Sequence, residues 1–349
     1  LLSLEPLFQG FSTPLLLLVI CTALAVLAKA ADRLVESASA LAEGLGMPSV
    51  IVGATIVALG TTMPEFAVSV LAAWSGKAGL ALGNAVGSVL ADTGLIFGLC
   101  ALLAPLPANR FLLMRQGRVQ LGAGLLLALF CYVSFAVSGP AATLGRASGL
   151  VLLALLLVYM RVSISWSRSY QAEECRHHTL GSVGGFSWRS ATTAAAIVAG
   201  LAVLAVSSDI LIDAVTVFAL RLGVPQVVIA ATLVAFGTSL PELIVGITAV
   251  RKGQLELVVG NIIGADILNV LFVIGASALA VPLPLIDPAA QPPELFLVLH
   301  LPAMILVLAA FRVFTLLAVG PGKFSRWMGL ALLVIYLSYV MIQSVPGIV

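Results

Sequence analysis

Two glutamates carry the chemistry that this sequence offers. Glu65 follows Gly60-Thr61-Thr62-Met63-Pro64, and Glu242 follows Gly237-Thr238-Ser239-Leu240-Pro241, each inside a long apolar stretch. A charge at membrane depth is expensive unless it is paired or binds an ion. Each proline lacks an N–H and crowds the carbonyl four residues back, so the Gly60 and Gly237 carbonyls lose their helical donor. Loosened backbone inside a membrane is tolerated only where it lines a cavity or meets an ion. Thr61 and Glu65 are four apart, as are Thr238 and Glu242, so each pair shares a helix face. Carboxylates, hydroxyls and released carbonyls are hard oxygen donors, of which Ca2+ takes about six to eight. The competing reading makes the prolines simple kinks and pairs each glutamate with a base. Only Lys29 and Arg33 lie deep enough in other apolar segments to serve.

A second pair of motifs follows the first. Asn84, Ser88 and Asp92 recur at helical spacing, as do Asn261, Ala265 and Asn269. Gly83 and Gly87, like Gly260 and Gly264, are four apart and permit close helix approach. Asp266 lies one residue past Ala265, about 100° further around a helix. Asp32, Glu36, Asp209 and Asp213 form another matched set, expected to snorkel to an interface or to pair with Lys29 and Arg33 rather than to ligate.

The matching is an internal repeat. Residue n corresponds to n + 177 over Leu24–Pro107, with roughly 33 identities in 84 ungapped positions, well above what apolar composition gives by chance.

The surroundings of these motifs are lipid. The chain has 349 residues, 61% hydrophobic and 9% charged, with mean hydropathy +1.17. Soluble domains carry about 25% charged residues, so this chain cannot cover itself in water. A net charge of +2 argues against a nucleic-acid partner. The four cysteines lack ligand spacing, and His177-His178 in a polar stretch is expected to be merely solvated.

Apolar segments separated by turn signals predict ten helices, at 13–43, 48–75, 79–104, 119–138, 143–163, 190–220, 225–250, 256–281, 293–315 and 325–345. The expected fold is an all-α membrane protein whose ten transmembrane helices form two inverted five-helix repeats. The halves are 13–163 and 190–345, joined by a loop at 164–189, with repeat cores near 48–104 and 225–281. An odd number of helices per unit makes the halves cross in opposite senses, as in secondary transporters. With both termini outside, twelve Lys and Arg fall in cytoplasmic loops and three outside, which satisfies the positive-inside rule. The 164–189 loop is then cytoplasmic. The chain has no phosphate-cradling G-x4-G-K-[ST] loop, which argues against a self-contained ATP-driven pump. Nothing suggests an enzyme: no G-x-G-D motif and no Ser/His pair lies within the spans.

G-T-[TS]-x-P-E twice, each followed by G-N-x-x-G, resembles the two alpha repeats of the cation/calcium exchanger superfamily, in its prokaryotic sodium/calcium exchanger branch. The resemblance covers nearly the whole chain. It implies a secondary antiporter of a prokaryotic plasma membrane, exporting Ca2+ in exchange for Na+ by alternating access, with no cofactor; protons drive sister branches. It also implies that Glu65 and Glu242 hold Ca2+ with Thr61 and Thr238. Ala58, Thr61 and Ser88 would form one Na+ site, and Ala235, Thr238 and position 265 the other. Asp92 and Asn269 would complete the centre, with Thr62 and Ser239 nearby; Asp266, Asn84 and Asn261 are further candidates. The chain departs from the pattern where Ala265 removes a hydroxyl, where Asp266 adds a carboxylate, and where the acid usual in the second repeat sits on the first, as Asp92.

Overall fold

The computed structural model describes residues 4–45, 47, 49–174, 188–222, 238–286 and 293–344. These residues are almost wholly helical. A short α1 (Glu5–Gln9) precedes α2 (Thr13–Leu45). Then come α3 (Ser49–Thr61), α4 (Met63–Trp74), α5 (Ala78–Leu103), α6 (Arg110–Ser138), α7 (Arg146–Glu174), α8 (Trp188–Arg221), α9 (Leu240–Arg251), α10 (Leu255–Ala280), α11 (Phe296–Val319) and α12 (Arg326–Ser344). Eight helices among the described residues are long and apolar enough to cross a membrane, and α3 with α4 counts as a ninth span bent by 43°. The protein is a multi-pass integral membrane protein.

The span expected at 48–75 is broken at Thr62, where Pro64 is expected to loosen the hydrogen-bond ladder. The helix boundaries correct the sequence reading in two other places. The helix expected at 119–138 begins at Arg110, so Arg110, Arg115 and Arg118 sit on its first turns; arginine is a good helix former and does not end a helix. The stretch 164–174, expected as loop, continues α7. His177 and His178, and the first part of the span expected at 225–250, lie outside the described residues.

The repeat reappears in the elements. α4 and α9 are both twelve residues long and start 177 positions apart (240 − 63). α5 and α10 start 177 apart (255 − 78) and end 177 apart (280 − 103). These last two form the centre: 72% and 94% of the residues in their most apolar windows are buried, against 22% in α7. α2 and α8 pack against each other at the periphery.

Contacts between the units are exchanged. α5 crosses α12 where Gly98 meets Gly329, and a Cβ on Gly329 would sit 2.7 Å from the Gly98 carbonyl. α10 crosses α7 where Gly275 meets Gly149, with 2.6 Å for the corresponding Cβ. Gly98 and Gly275 are repeat mates. The two Pro-Leu-Pro turns behave alike: Pro107 bridges to Lys323, and its mate Pro284 pairs with Thr143 in a two-stranded ribbon of Thr143–Leu144 and Leu283–Pro284. Small residues let backbones touch where lipid supplies no hydrophobic drive between helices.

Candidate ion site

Glu65 and Glu242 stand in the first turns of α4 and α9, with Pro64 and Pro241 beside them. The break at Thr62 gives α4 its own N-terminus inside the protein. Amides at a helix N-terminus face outward unbonded and favour negative charge. Proline therefore both breaks the span and prepares the place where its glutamate sits. Both carboxylates are fully buried.

Around them the hydrogen bonds are reciprocal. The Thr61 hydroxyl shares its proton among the Val57 and Ala58 carbonyls at 3.2 and 3.3 Å and Asn261 Oδ1 at 3.4 Å, and the Thr238 hydroxyl donates to Asn84 Oδ1 at 3.2 Å. These four residues are two pairs of repeat mates, each bonding the mate's partner. Asn84 also donates to the Glu65 carbonyl at 3.4 Å and to Ser69 Oγ at 3.0 Å. Ser239 donates to Glu65 Oε1 at 3.5 Å. Asn269 Nδ2 donates to Asp92 Oδ2 at 3.4 Å, so two further mates meet face to face. Asp92 and Asn269 lie at the start of wide π-helical turns, Ala91–Phe97 and Asn269–Ile274, a distortion common at functional sites. Close packing of α3 on α10 supports the site. A Cβ on Gly260 or Gly264 would overlap the Val50 or Ala54 backbone.

Many oxygens remain open. Among the described residues, Glu65 Oε2, both Glu242 oxygens, Asp92 Oδ1, Asn269 Oδ1, Ser88 Oγ and Thr62 Oγ1 are buried without a hydrogen-bond partner. Each such atom costs about 1–3 kcal/mol, more when charged. Glu65 also feels the charge of Asp92, and Asp92 and Glu65 both act on Glu242 or are acted on by it. Lys252 pairs with Asp32 at 3.6 Å and with Glu36 at 2.9 Å; neither bridge reaches the centre. Pairing of the glutamates with Lys29 or Arg33 is thus not what balances them among the described residues. Of the two outcomes expected for Asp32 and Glu36, pairing with Lys29 or Arg33 gives way to Lys252 from the α9–α10 turn, while both side chains stay about half exposed. The Glu36 carboxylate bonded to it holds the Lys252 pKa above its ordinary value. Asp213 accepts the Leu4 amide at 2.6 Å.

No three His, Cys, Asp or Glu side chains among the described residues converge into a chelate by themselves. A cation here needs hydroxyl, amide and backbone oxygens beside the carboxylates. Thr61, Thr62, Ser88, Ser239 and Asn269 supply such atoms and are buried. Ala58 is buried too, but its carbonyl already accepts the Thr62 amide at 2.9 Å. Ala235 lies outside the described residues. Asp266 does not join the two glutamates; it turns to Thr93 and to Gln120 Nε2, the latter at 2.5 Å. Sequence reasoning missed Thr93, Gln120 and Ser69. Ser69, one turn after Glu65, carried a helical-spacing signal; Gln120 carried none.

Fold and site define an integral membrane ion transporter, not an enzyme. Residues 15–165 and 192–345 match the family described as sodium/calcium exchanger protein, and the chain belongs to that family. The sodium/calcium exchanger MaX1 of Methanosarcina acetivorans is 29% identical over 355 residues, covering 93% of this chain and 97% of its own. The putative antiporter CaxA of Alkalimonas amylolytica is 33% identical over 277 residues, covering 76% and 81%. Among solved structures, the sodium-calcium exchanger NCX_Mj soaked with 2.5 mM Na+ and 0.1 mM Ca2+ superposes with a TM-score of 0.71 at 26% identity, covering 94% of this chain and 98% of that one.

Proposed function

We propose that this protein is a secondary antiporter that exports Ca2+ in exchange for Na+ at a mid-membrane site centred on Glu65 and Glu242. One observation carries the reading: two fully buried glutamates, repeat mates in the first turns of α4 and α9, have open oxygens and no basic partner among the described residues. Thr61, Thr238, Asn84 and Asn261 position them through the reciprocal bonds. Asp92, with Asn269 holding one of its oxygens, adds a third negative group. Thr62, Ser88, Ser239 and the backbone near Ala58 and Ala235 are the flanking Na+ donors. An empty, dry site holding these charges is too costly to carry across. The site therefore changes sides only when loaded, which makes exchange obligatory and makes the ions compete.

The exchanged contacts support two inverted repeats of five helices related by a pseudo-twofold axis. Each contact has a mate in which the units trade places. Ten spans, termini outside, the segment after α7 on the cytoplasmic face and residence in a plasma membrane complete the reading.

A proton-driven exchanger is the second reading, favoured by Ala265. Its repeat mate, Ser88, carries the hydroxyl that position 265 lacks. Reconstituted vesicles with Na+ and pH gradients imposed separately decide between them. Ca2+ uptake driven by a Na+ gradient at equal pH is the expected result. Uptake driven by a pH gradient without Na+ would move the assignment to protons, and uptake without any counter-ion would overturn the antiporter.

A further inference from the structure

A fourth buried carboxylate does not join Glu65, Glu242 and Asp92. Asp266, on α10, is 1% exposed. One of its oxygens, Oδ2, is held by the Thr93 hydroxyl from α5 and by Gln120 Nε2 from α6, and Gln120 also donates to Thr93 Oγ1 at 3.3 Å. The other oxygen, Oδ1, is buried and without a partner among the described residues. Gln116 precedes Gln120 by one turn on the same face of α6. It is fully buried, and neither its amide oxygen nor its amide nitrogen has a partner there. No lysine or arginine among the described residues pairs with Asp266.

Inherited packing does not account for this cluster. The repeat mate of Asp266 is Val89 and the mate of Thr93 is Val270. The matched positions carry two valines in one pairing and a carboxylate with a hydroxyl in the other. Valine in both places would avoid burying a charge, which is costly unless something neutralises it.

We propose that Asp266, Thr93, Gln120 and Gln116 form a separate site for a monovalent alkali cation, with Na+ as its ligand. Asp266 Oδ1 is its free carboxylate oxygen, and the buried, unpartnered Gln116 side chain, one turn before Gln120 on α6, is the further oxygen donor the site would recruit. Thr93 and Gln120 hold the other carboxylate oxygen and so fix the orientation of the free one. The charge count selects the valence: one carboxylate is neutralised by one monovalent ion, whereas a divalent ion would leave a buried net positive charge. The site restores a Na+ position on the helix where Ala265 lacks a hydroxyl. Its role in transport rests on the antiporter reading, but its existence does not. Asp92 feels the charge of Asp266, so a cation at Asp266 relieves repulsion on the central cluster and links the two sites.

The test is equilibrium binding of radioactive Na+ to the full chain, purified in detergent, with the centre disabled by Glu65→Gln and Glu242→Gln together. The expected result is retained Na+ binding in that background, lost when Asp266→Asn is added. Gln116→Ala should weaken it about tenfold, as loss of a bond to a charged group does. Unchanged Na+ binding after Asp266→Asn, or no binding at all in the background, overturns the proposal. If Asp266→Asn fails to fold, Gln116→Ala decides, and an unaltered affinity overturns the site. Failure of the antiporter reading shows elsewhere, in Ca2+ flux through the unmutated protein.

Discussion

Glu242→Gln separates a ligand from a structural residue because the two roles predict opposite signs. Both Glu242 oxygens are buried and unbonded among the described residues, and Glu65 repels them. At an effective dielectric near 20, two unit charges about 4 Å apart repel by roughly 4 kcal/mol, which is the upper limit of what such a pair could contribute. Glutamine keeps the shape and removes that repulsion, so the ion-free protein should unfold at an equal or higher temperature than the parent. Ca2+ binding should move the other way. Removing one partner of a buried charge contact costs about 3–5 kcal/mol, which is roughly a 100- to 5,000-fold loss of affinity. The assay is thermal unfolding with and without Ca2+, alongside radioactive Ca2+ uptake into vesicles. The parent should be stabilised by Ca2+ and the variant should not, with uptake abolished. Normal Ca2+ uptake by the variant would refute the assignment. An ion-free unfolding temperature several degrees below the parent would make Glu242 a scaffold residue instead.

Three further outcomes follow from the geometry. Thr61→Val and Thr238→Val each delete one of the reciprocal bonds, so each should weaken Ca2+ binding by about 1 kcal/mol in titration, and by similar amounts; a large asymmetry between them would argue against equivalent units. Gly264→Ala drives a Cβ into the Ala54 backbone and should cost about 1–3 kcal/mol or prevent folding. Gly122→Ala meets no described atom within 4 Å and should be neutral or stabilising by about 0.4–1 kcal/mol, both read from unfolding in detergent. Lys252→Met breaks the bridges to Asp32 and Glu36 at an exposed edge. Its small destabilisation should vanish in 1 M salt, where screening acts over about 3 Å; an effect that survives high salt would mean packing rather than charge.

The fold was legible where its determinants are local. Apolar length places a span and Pro64 breaks one, and both signals lie within a few residues of their effect. The repeat went further. It matched Thr61 with Thr238 and Asn84 with Asn261, and the structure joins those mates crosswise. The partners of Asp32 and Glu36 were not legible, because Lys252 lies 216 residues from Glu36 and charge alone does not name which base arrives. Gln120 was hidden for the same reason: a polar residue among leucines becomes informative only once α6 is laid against Asp266. The face of α10 on which Asp266 falls was predictable from helix geometry; what that face meets was not.

The placement of Asp92 shows how a duplicated site tolerates change. Asp92 and Asn269 are mates, and Asn269 donates to Asp92 across the unit boundary. In the proposed inverted repeat, residues that meet their own mates sit near the axis relating the units, so exchanging acid and amide leaves the local composition the same. Ala265 has no such protection. Its mate is Ser88, whose Oγ is buried without a hydrogen-bond partner among the described residues, so the hydroxyl lost at 265 is a net loss and not an exchange between mates. Asp266 adds oxygen one residue along, facing α5 and α6 instead. On the proposed inverted-repeat antiporter reading, symmetry separates two kinds of substitution: exchange across the axis conserves the charge at the centre, while loss away from it changes which ions the site could couple.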